Sequence, residues 1–211
     1  MSEIASFASN IFAGLEYIHL RDMIHTDVKF GNIIIADNDT LKLIDFDRAT
    51  PFVEAAQNSI SNSRVRGTLE YEAPELSAGK NFDLKVDSWS VGVVLAECVL
   101  QTDYLFKRKS GENQNDSYRR TLDSSWQEIL GECSLIKQDA KVKDSFFLLL
   151  QSLIVLDPSA RLTSKDARTS DFLSKCTHLP IDPTKVTKYD PAVEKKFVIN
   201  SQKIFDEELT Q

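Results

Sequence analysis

Apolar side chains recur at steps of three and four residues along the first nineteen positions of the chain. The positions are Ile4, Phe7, Ala8, Ile11, Phe12, Leu15 and Ile18. This spacing places the apolar side chains on one face of a helix. The pattern therefore predicts an amphipathic helix that ends at about His19.

A β-branched and alternating pattern follows the first helix. Ile33, Ile34 and Ile35 form a short β-branched run, and the cluster ADNDT at 36–40 predicts a turn. The next residues, LKLID at 41–45, alternate between apolar and polar side chains. Together these segments predict a β-hairpin with the sequence DFD, residues 45–47, at its far end.

Later segments favour helices separated by polar stretches. The sequence VDSWSVGVVLAECVL, residues 86–100, is apolar nearly all round, which is typical of a buried helix. Helical patterns also occur at 126–130, 144–156 and 164–173, whereas 48–66 and 107–121 predict exposed loops. The order of hairpin, loop and helices predicts a mainly helical α+β domain over residues 1–176. Residues 177–211 predict a C-terminal tail with a short amphipathic helix.

Composition narrows the classes of protein to consider. The chain has 211 residues and a formal net charge of -7, which does not favour binding to nucleic acid or to an anionic membrane. No apolar stretch reaches the roughly 18 residues needed to span a bilayer. The first ten residues carry Glu3 and no Lys or Arg, unlike a signal peptide. The three cysteines lie far apart, which predicts reduced thiols in an intracellular protein, in the cytoplasm or the nucleus.

The candidate chemistry begins in MIHTDVKFGNIII, residues 23–35. Asp27, Lys29 and Asn32 precede the first strand of the predicted hairpin, and Asp45 follows the second. An isolated Asp before a strand is more often a turn or cap residue. Further patterns change this interpretation, namely GTLEYEAPE at 67–75, DSWSVG at 87–92 and Arg161 after LDPSA.

This ordered set resembles the C-terminal lobe of eukaryotic protein kinases over about residues 3–176. The resemblance implies a helical bundle with a small β-hairpin that carries the catalytic and metal-binding loops. Asp27, Lys29 and Thr68 together resemble the serine/threonine kinases. The segments DSWSVGVVLAE and IVLDPSARLT look most like the branch that contains the cyclin-dependent and mitogen-activated kinases.

The resemblance implies a role for each matched residue of the catalytic set. Asp27 would accept or orient the proton of the attacking hydroxyl, and Lys29 would offset charge on the γ-phosphoryl group of ATP. Asn32 and Asp45 would supply oxygen ligands of the kind that suit Mg²⁺. Thr68 would tie the substrate site to the catalytic residues, and the apolar floor beneath adenine would include Ile34.

Five other matched residues imply structural roles. His25 and Phe46 are expected to be packed residues, and Asp87 is expected to accept backbone N–H bonds from the catalytic loop. Glu75 and Arg161 are expected to form an ion pair inside the lobe. Breaking such a buried pair typically costs about 3–5 kcal/mol.

Three residues depart from the family pattern. Thr26 stands where the family usually has an Arg that binds a loop phosphate, and Phe30 stands where Pro is common. Asp47 replaces the Gly of D-F-G, which has more backbone freedom. The sequence IDFD also occurs in small-molecule kinases of related fold, so this substrate class stays open.

The N-terminal half of the kinase pattern is not found in the sequence. Two dozen residues precede His25, and there is neither a G-x-G-x-x-G loop nor a V-A-I-K lysine. We therefore expect a C-lobe whose N-lobe is absent, with weak binding of ATP and Mg²⁺ by the chain alone. The expected partners are a protein substrate and a separate N-lobe or regulatory chain. The alternative is a noncatalytic kinase-like scaffold.

Overall fold

The computed structural model describes residues 1–35, 41–52, 68–102, 104–123, 140–174 and 176. The helices are α1 (Ser2–Leu20), α2 (Pro74–Ser77), α3 (Lys85–Leu100), α4 (Gln114–Asp123), α5 (Ala140–Leu153) and α6 (Ser164–Arg168). The strands are β1 (Met23–Ile24), β2 (Ile33–Ile35), β3 (Leu41–Leu43) and β4 (Thr50–Pro51), and 3₁₀ turns span Phe30–Asn32 and Pro158–Ala160. The described chain is mainly helical with two small antiparallel sheets, which confirms the predicted α+β class.

Helix α1 forms where the apolar period predicts it. Its buried face includes Ile11, Phe12 and Leu15, and the helix packs on α3, α6 and β3. The helix ends where Asp22 adopts a left-handed backbone with a φ of 61°. The apolar face of α1 thus supports the strands that follow it.

The predicted hairpin is formed by β2 and β3, with Ile33 opposite Leu43 and Ile35 opposite Leu41. A second antiparallel pair, which the sequence pattern does not predict, joins β1 to β4. In this pair Ile24 lies opposite Thr50. The pair brings together the two ends of the segment 25–49, which holds both the DVK and the DFD sequences.

Helix α3 is buried on nearly every side, as its apolar composition predicts. Close packing against the end of α5 depends on Gly92. A Cβ atom at this position would lie 2.7 Å from Ile154 Cγ1 and 3.0 Å from Leu153 Cβ. Glycine is the residue that lets the two segments approach this closely.

The prediction of an exposed loop over 107–121 is wrong for its second half, which forms most of α4. Tyr118 is wholly buried, and its ring contacts Trp89 and Phe106 with centroid distances of 5.3 and 4.8 Å. Ser117 is also buried and its Oγ donates to Phe106 O at 2.8 Å. Burial of these side chains holds the mostly polar helix against the core.

The last two helices are displaced from or shorter than their predicted ranges. Helix α5 begins earlier and ends earlier than 144–156, and α6 covers the first half of 164–173. The predicted helix at 126–130, the tail 177–211 and most of the predicted loop at 48–66 lie outside the described residues. The boundary at 176 stays a prediction. Within the described ranges no helix is long and apolar enough to cross a membrane.

Candidate active site

The backbone of the loop after β1 is held by a buried carboxylate on α3. Asp87 Oδ2 accepts a hydrogen bond from His25 N at 2.9 Å, and Asp87 Oδ1 accepts one from Thr26 N at 2.8 Å. His19 Nε2 lies 2.8 Å from Asp87 Oδ2, and His19 Nδ1 lies 2.8 Å from Ser164 Oγ. Burial raises the pKa of Asp87, but hydrogen bonding and charge from His19 and His25 outweigh burial, so the net pKa lies below its ordinary value.

Asp27 accepts four hydrogen bonds from three residues, three of them from side chains and one from the backbone. Its Oδ1 accepts from Thr68 N at 2.8 Å and from Thr68 Oγ1 at 2.9 Å. Its Oδ2 accepts from Lys29 Nζ at 2.9 Å and from Asn32 Nδ2 at 3.1 Å. Lys29 Nζ also donates to Thr68 Oγ1 at 2.8 Å. The structure therefore brings four of the sequence-predicted residues into direct contact.

These contacts set the charge state of Asp27. Burial raises the pKa of the carboxyl, while hydrogen bonds from Lys29 and Thr68 and the positive charge of Lys29 lower it. The lowering effects are larger in sum, so the pKa lies below its usual value. Asp27 is consequently an ionised carboxylate at neutral pH and can accept or orient a proton.

Asn32 and Asp45 lie at neighbouring ends of the hairpin. Asn32 Nδ2 donates to Asp27 O at 2.8 Å, and within the described residues Asn32 Oδ1 accepts no hydrogen bond. Ile44 N donates to Asn32 O at 3.0 Å, which fixes the residue before Asp45. Asp45 is exposed and has a left-handed φ of 63°.

This pair of oxygen donors fits a Mg²⁺ ion. Magnesium prefers oxygen ligands and usually retains waters or phosphate oxygens, so one amide oxygen and one carboxylate suffice from the protein. The part of the chain that the structure describes contains no group of three His, Cys, Asp or Glu side chains that could hold a metal. The fit therefore rests on Asn32 and Asp45 alone.

The expected packing of Phe46 is only partly observed. His25 is wholly buried, its Nε2 lies 3.1 Å from Ile44 O, and its ring meets that of Phe46 at 4.8 Å. Phe46 nevertheless remains 47% exposed. Ile34 on β2 is similarly 41% exposed.

The structure pairs Arg161 with Glu75. Arg161 Nη1 and Nη2 donate to the two carboxylate oxygens at 2.5 and 3.0 Å, and both side chains are buried. The guanidinium also lies over Trp89, 5.1 Å from the ring centroid, and donates to Val155 O. This bidentate pair joins the segment that begins at Thr68 to the turn after α5.

Sequence comparison agrees with this arrangement. The family model described as "Protein kinase domain" matches residues 1–173. The chain belongs to the protein kinase family. One relative is "Cyclin-dependent kinase C-2 C" of Arabidopsis thaliana, which is 29% identical over 91% of this chain and 32% of the relative. Another is "Mitogen-activated protein kinase HOG1" of Gibberella zeae, which is 29% identical over 92% of this chain and 56% of the relative.

A shorter and more similar match is "Serine/threonine-protein kinase pakA" of Dictyostelium discoideum, 43% identical over 46% of this chain and 8% of the relative. The cyclin-dependent relatives are matched over only 32–40% of their own length. The kinase chain described here therefore corresponds to part of these relatives.

The structure of this kinase chain also adds two residues that sequence reasoning missed. His19 contacts Asp87, and its position at the end of the apolar face of α1 was the available signal. Arg48 approaches Asp27, with Nε 4.0 Å from Asp27 Oδ2. Nothing in the local pattern of the sequence marks Arg48, because the contact depends on how the segment 25–49 closes.

Proposed function

We propose that this chain is the C-terminal lobe of a serine/threonine protein kinase and transfers the γ-phosphoryl group of ATP to a protein hydroxyl once an N-lobe covers the nucleotide. The observation that carries the proposal is the contact of Asp27 with Lys29, Asn32 and Thr68. Phosphoryl transfer depends on positioning and charge neutralisation, and this set supplies a carboxylate and a cation within one hydrogen-bonded group.

The reaction assigns one task to each of these residues. The substrate oxygen bonds to the γ-phosphorus, the bond from that phosphorus to the bridging oxygen breaks, and ADP leaves. Asp27 orients the hydroxyl and receives its proton, and Lys29 offsets charge on the phosphoryl oxygens. Thr68, the second residue of the GTLEYEAPE segment, donates to the same carboxylate. The segment expected to bind substrate and the carboxylate expected to act in catalysis therefore share one contact.

The chain alone supplies only part of the binding site for Mg²⁺ and ATP in this proposal. Asn32 and Asp45 would hold Mg²⁺, which supplies charge neutralisation to the β- and γ-phosphates when bound. Ile34 would form one apolar wall beneath adenine. The second wall and the phosphate-binding backbone would come from an N-lobe on a partner chain or outside these 211 residues.

Free thiols support an intracellular location. Cys98 and Cys176 are free, and burial raises the pKa of both thiols. A raised pKa disfavours the reactive thiolate, so a catalytic role does not fit these cysteines, whereas unpaired thiols are usual in a reducing compartment.

A noncatalytic scaffold is the second candidate, and Asp47 is the observation that favours it. This exposed carboxylate lies two residues from Asp45, where it can compete for the metal, and it stands in place of a flexible glycine. The same residue keeps a small-molecule substrate open as a third candidate.

The test of the proposed function is Asp27→Asn in the full chain supplied with a kinase N-lobe, measured by phosphorylation of serine peptides. We expect kcat to fall by at least about a hundredfold, because a positioned acid–base group contributes that much or more. Asp171→Asn on the exposed surface is the matched control and should retain full turnover. Near-normal turnover of Asp27→Asn would remove this carboxylate from the reaction, and phosphorylation of aminoglycosides instead of peptides would favour the third candidate.

A further inference from the structure

Arg48 lies beside the catalytic carboxylate with its backbone fixed and its side chain accessible. Its carbonyl oxygen accepts hydrogen bonds from Thr26 Oγ1 at 2.8 Å and from Thr50 Oγ1 at 3.1 Å. Its Nε lies 4.0 Å from Asp27 Oδ2, and the side chain is 43% exposed. Two hydroxyl groups therefore hold the residue at a position from which the guanidinium reaches the site.

Asp27 has no remaining capacity to pair fully with Arg48. A carboxylate has about four lone-pair sites, and in this structure Thr68, Lys29 and Asn32 donate to all four, so a substrate hydroxyl must displace one of these donors before Asp27 receives its proton. A separation of 4.0 Å is also too long for a hydrogen bond. Within the described residues the Arg48 guanidinium donates no hydrogen bond, so its five N–H donors are available to a ligand.

The surroundings of Arg48 indicate which ligand it suits. Lys29 Nζ and Arg48 Nε approach the same oxygen, Asp27 Oδ2, so two cations flank the point where the proton of the substrate hydroxyl would be received. The planar guanidinium matches the oxygens of a phosphoryl group in a bidentate manner, and an ammonium group does not. Lys29 uses two of its three N–H donors on Asp27 and Thr68 and has one left for the phosphoryl group, whereas Arg48 retains all of its donors.

We propose that Arg48 is a further catalytic residue, which donates to the peripheral oxygens of the phosphoryl group during transfer. This inference rests on the proposed function, because it assigns Arg48 to the same reaction. Arg48 makes no bond to phosphorus and moves no proton; it stabilises the charge on oxygens that remain attached to phosphorus as ADP leaves. Thr26 and Thr50 fix its backbone in advance, so only the side chain has to adjust when that charge develops.

The first experiment requires no nucleotide and no N-lobe. The ¹⁵N-labelled full chain is titrated with inorganic phosphate at neutral pH and constant ionic strength, and the Arg48 Nε–H resonance and the backbone signals of residues 26–29 are followed by NMR. We expect saturable shifts, and we expect Arg48→Gln to weaken phosphate binding by about tenfold, the lower range for hydrogen bonds to a charged group. Arg48→Lys should lie between the two, and Arg119→Gln, on an exposed part of α4, should match the wild type.

Either of two results overturns the proposal: no saturable binding of phosphate by the wild type, or equal affinities for the wild type and Arg48→Gln. Spectra of the unliganded variants show whether each one is folded. If Arg48→Gln is unfolded, the comparison is made with Arg48→Lys, which keeps the charge and the long side chain but loses the planar fork.

The second experiment uses the assembly with an N-lobe. Arg48→Gln should lower kcat by about a hundredfold, as expected for loss of a preorganised donor, while KM for a peptide stays unchanged. A loss confined to KM for acidic peptides would assign the guanidinium to substrate recognition and overturn the inference. A wild-type assembly without activity contradicts the proposed function. The phosphate titration then still shows whether Arg48 binds phosphoryl oxygens.

Discussion

Asp87 illustrates how one side chain can determine the shape of the loop after β1. Its two oxygens accept hydrogen bonds from consecutive backbone N–H groups, those of His25 and Thr26. These bonds fix the path of the chain from β1 to Asp27. Thr26 has a φ of 65°, which is unfavourable for a β-branched residue. The strained conformation is held from both sides, by Asp87 at its N–H and by Arg48 O at its hydroxyl.

We predict that Asp87→Asn destabilises the fold and changes its response to acid. The amide nitrogen would face a backbone N–H donor, and loss of one partner in a buried pair costs about 3–5 kcal/mol. The lowered pKa of Asp87 means that its contribution to the free energy of unfolding is complete above the ordinary value of 3.8. That contribution is lost as the pH falls below 3.8 and through the folded-state pKa.

Urea unfolding across a series of pH values measures both effects. Asp87→Asn should be less stable at neutral pH and should lose less stability in acid than the wild type. The exposed Asp171→Asn variant should follow the wild-type curve. Parallel pH curves for the wild type and Asp87→Asn would contradict the assigned role.

At the scale of elements, glycines in two helices differ in the space available for a Cβ atom. Gly92 lies in α3, where a Cβ atom would come within 2.7 Å of Ile154. Gly14 lies in α1, where a Cβ atom would make an ordinary contact of 3.5 Å with Leu43 Cδ1. The two positions therefore separate the effect of helix propensity from that of packing.

We predict that Gly92→Ala lowers the free energy of unfolding by about 1–3 kcal/mol, since overpacking forces the neighbouring segment to shift. Gly14→Ala should instead raise it by about 0.5–1 kcal/mol, because alanine loses less backbone entropy in a helix. Thermal and urea unfolding of both variants would check this. A stabilised Gly92→Ala variant would show that α5 moves away without cost.

The elements differ in how far the sequence predicts them. Helices α1 and α3 and the β2–β3 hairpin follow from periods of 3.6 and 2, because the buried face of each element is long enough to appear in the local pattern. Helix α4 does not, because the side chains that it buries, those of Gln114, Ser117 and Tyr118, include two polar ones that show no apolar period. The β1–β4 pair has only two residues per strand, so its existence depends on closure of the chain rather than on local preference.

The candidate site shows the same division. The spacing of Asp27, Lys29 and Asn32 within one loop was visible in the sequence, and so was Thr68 through its motif. His19 contacts Asp87, which lies 68 positions away in the sequence. Arg48 approaches Asp27, which lies 21 positions away. Such contacts are set by tertiary packing, which a single sequence does not encode in any local pattern.

For the molecule as a whole, the site opens beside an apolar surface. Four large apolar side chains on and after the hairpin are each exposed, with Ile35 75% exposed; they are Ile34, Ile35, Ile44 and Phe46. An exposed group of large apolar side chains is characteristic of a surface that binds a ligand or a partner. An N-lobe seated over ATP would cover both the adenine and this surface.

We predict that the purified chain binds Mg·ATP poorly and transfers no phosphoryl group by itself. Asp45, the charged member of the proposed metal-binding pair, is exposed to water, where a pair of charges at 4 Å gains only about 1 kcal/mol. A few such contacts do not offset the roughly 4–15 kcal/mol that association costs in translational and rotational freedom. Calorimetry with Mg·ATP is the measurement, and Asp45→Ala is the companion variant. A dissociation constant in the low-micromolar range that is abolished by Asp45→Ala would contradict this prediction.

The short β1–β4 pair has a consequence for how this site can vary. It ties the chain at Ile24 and Thr50, and β2 and β3 tie it again at Ile35 and Leu41, so the loop and the DFD segment are each anchored at two points. Breaking either strand pair therefore releases one end of the loop and one end of the DFD segment at the same time. The two segments should lose their geometry together rather than separately.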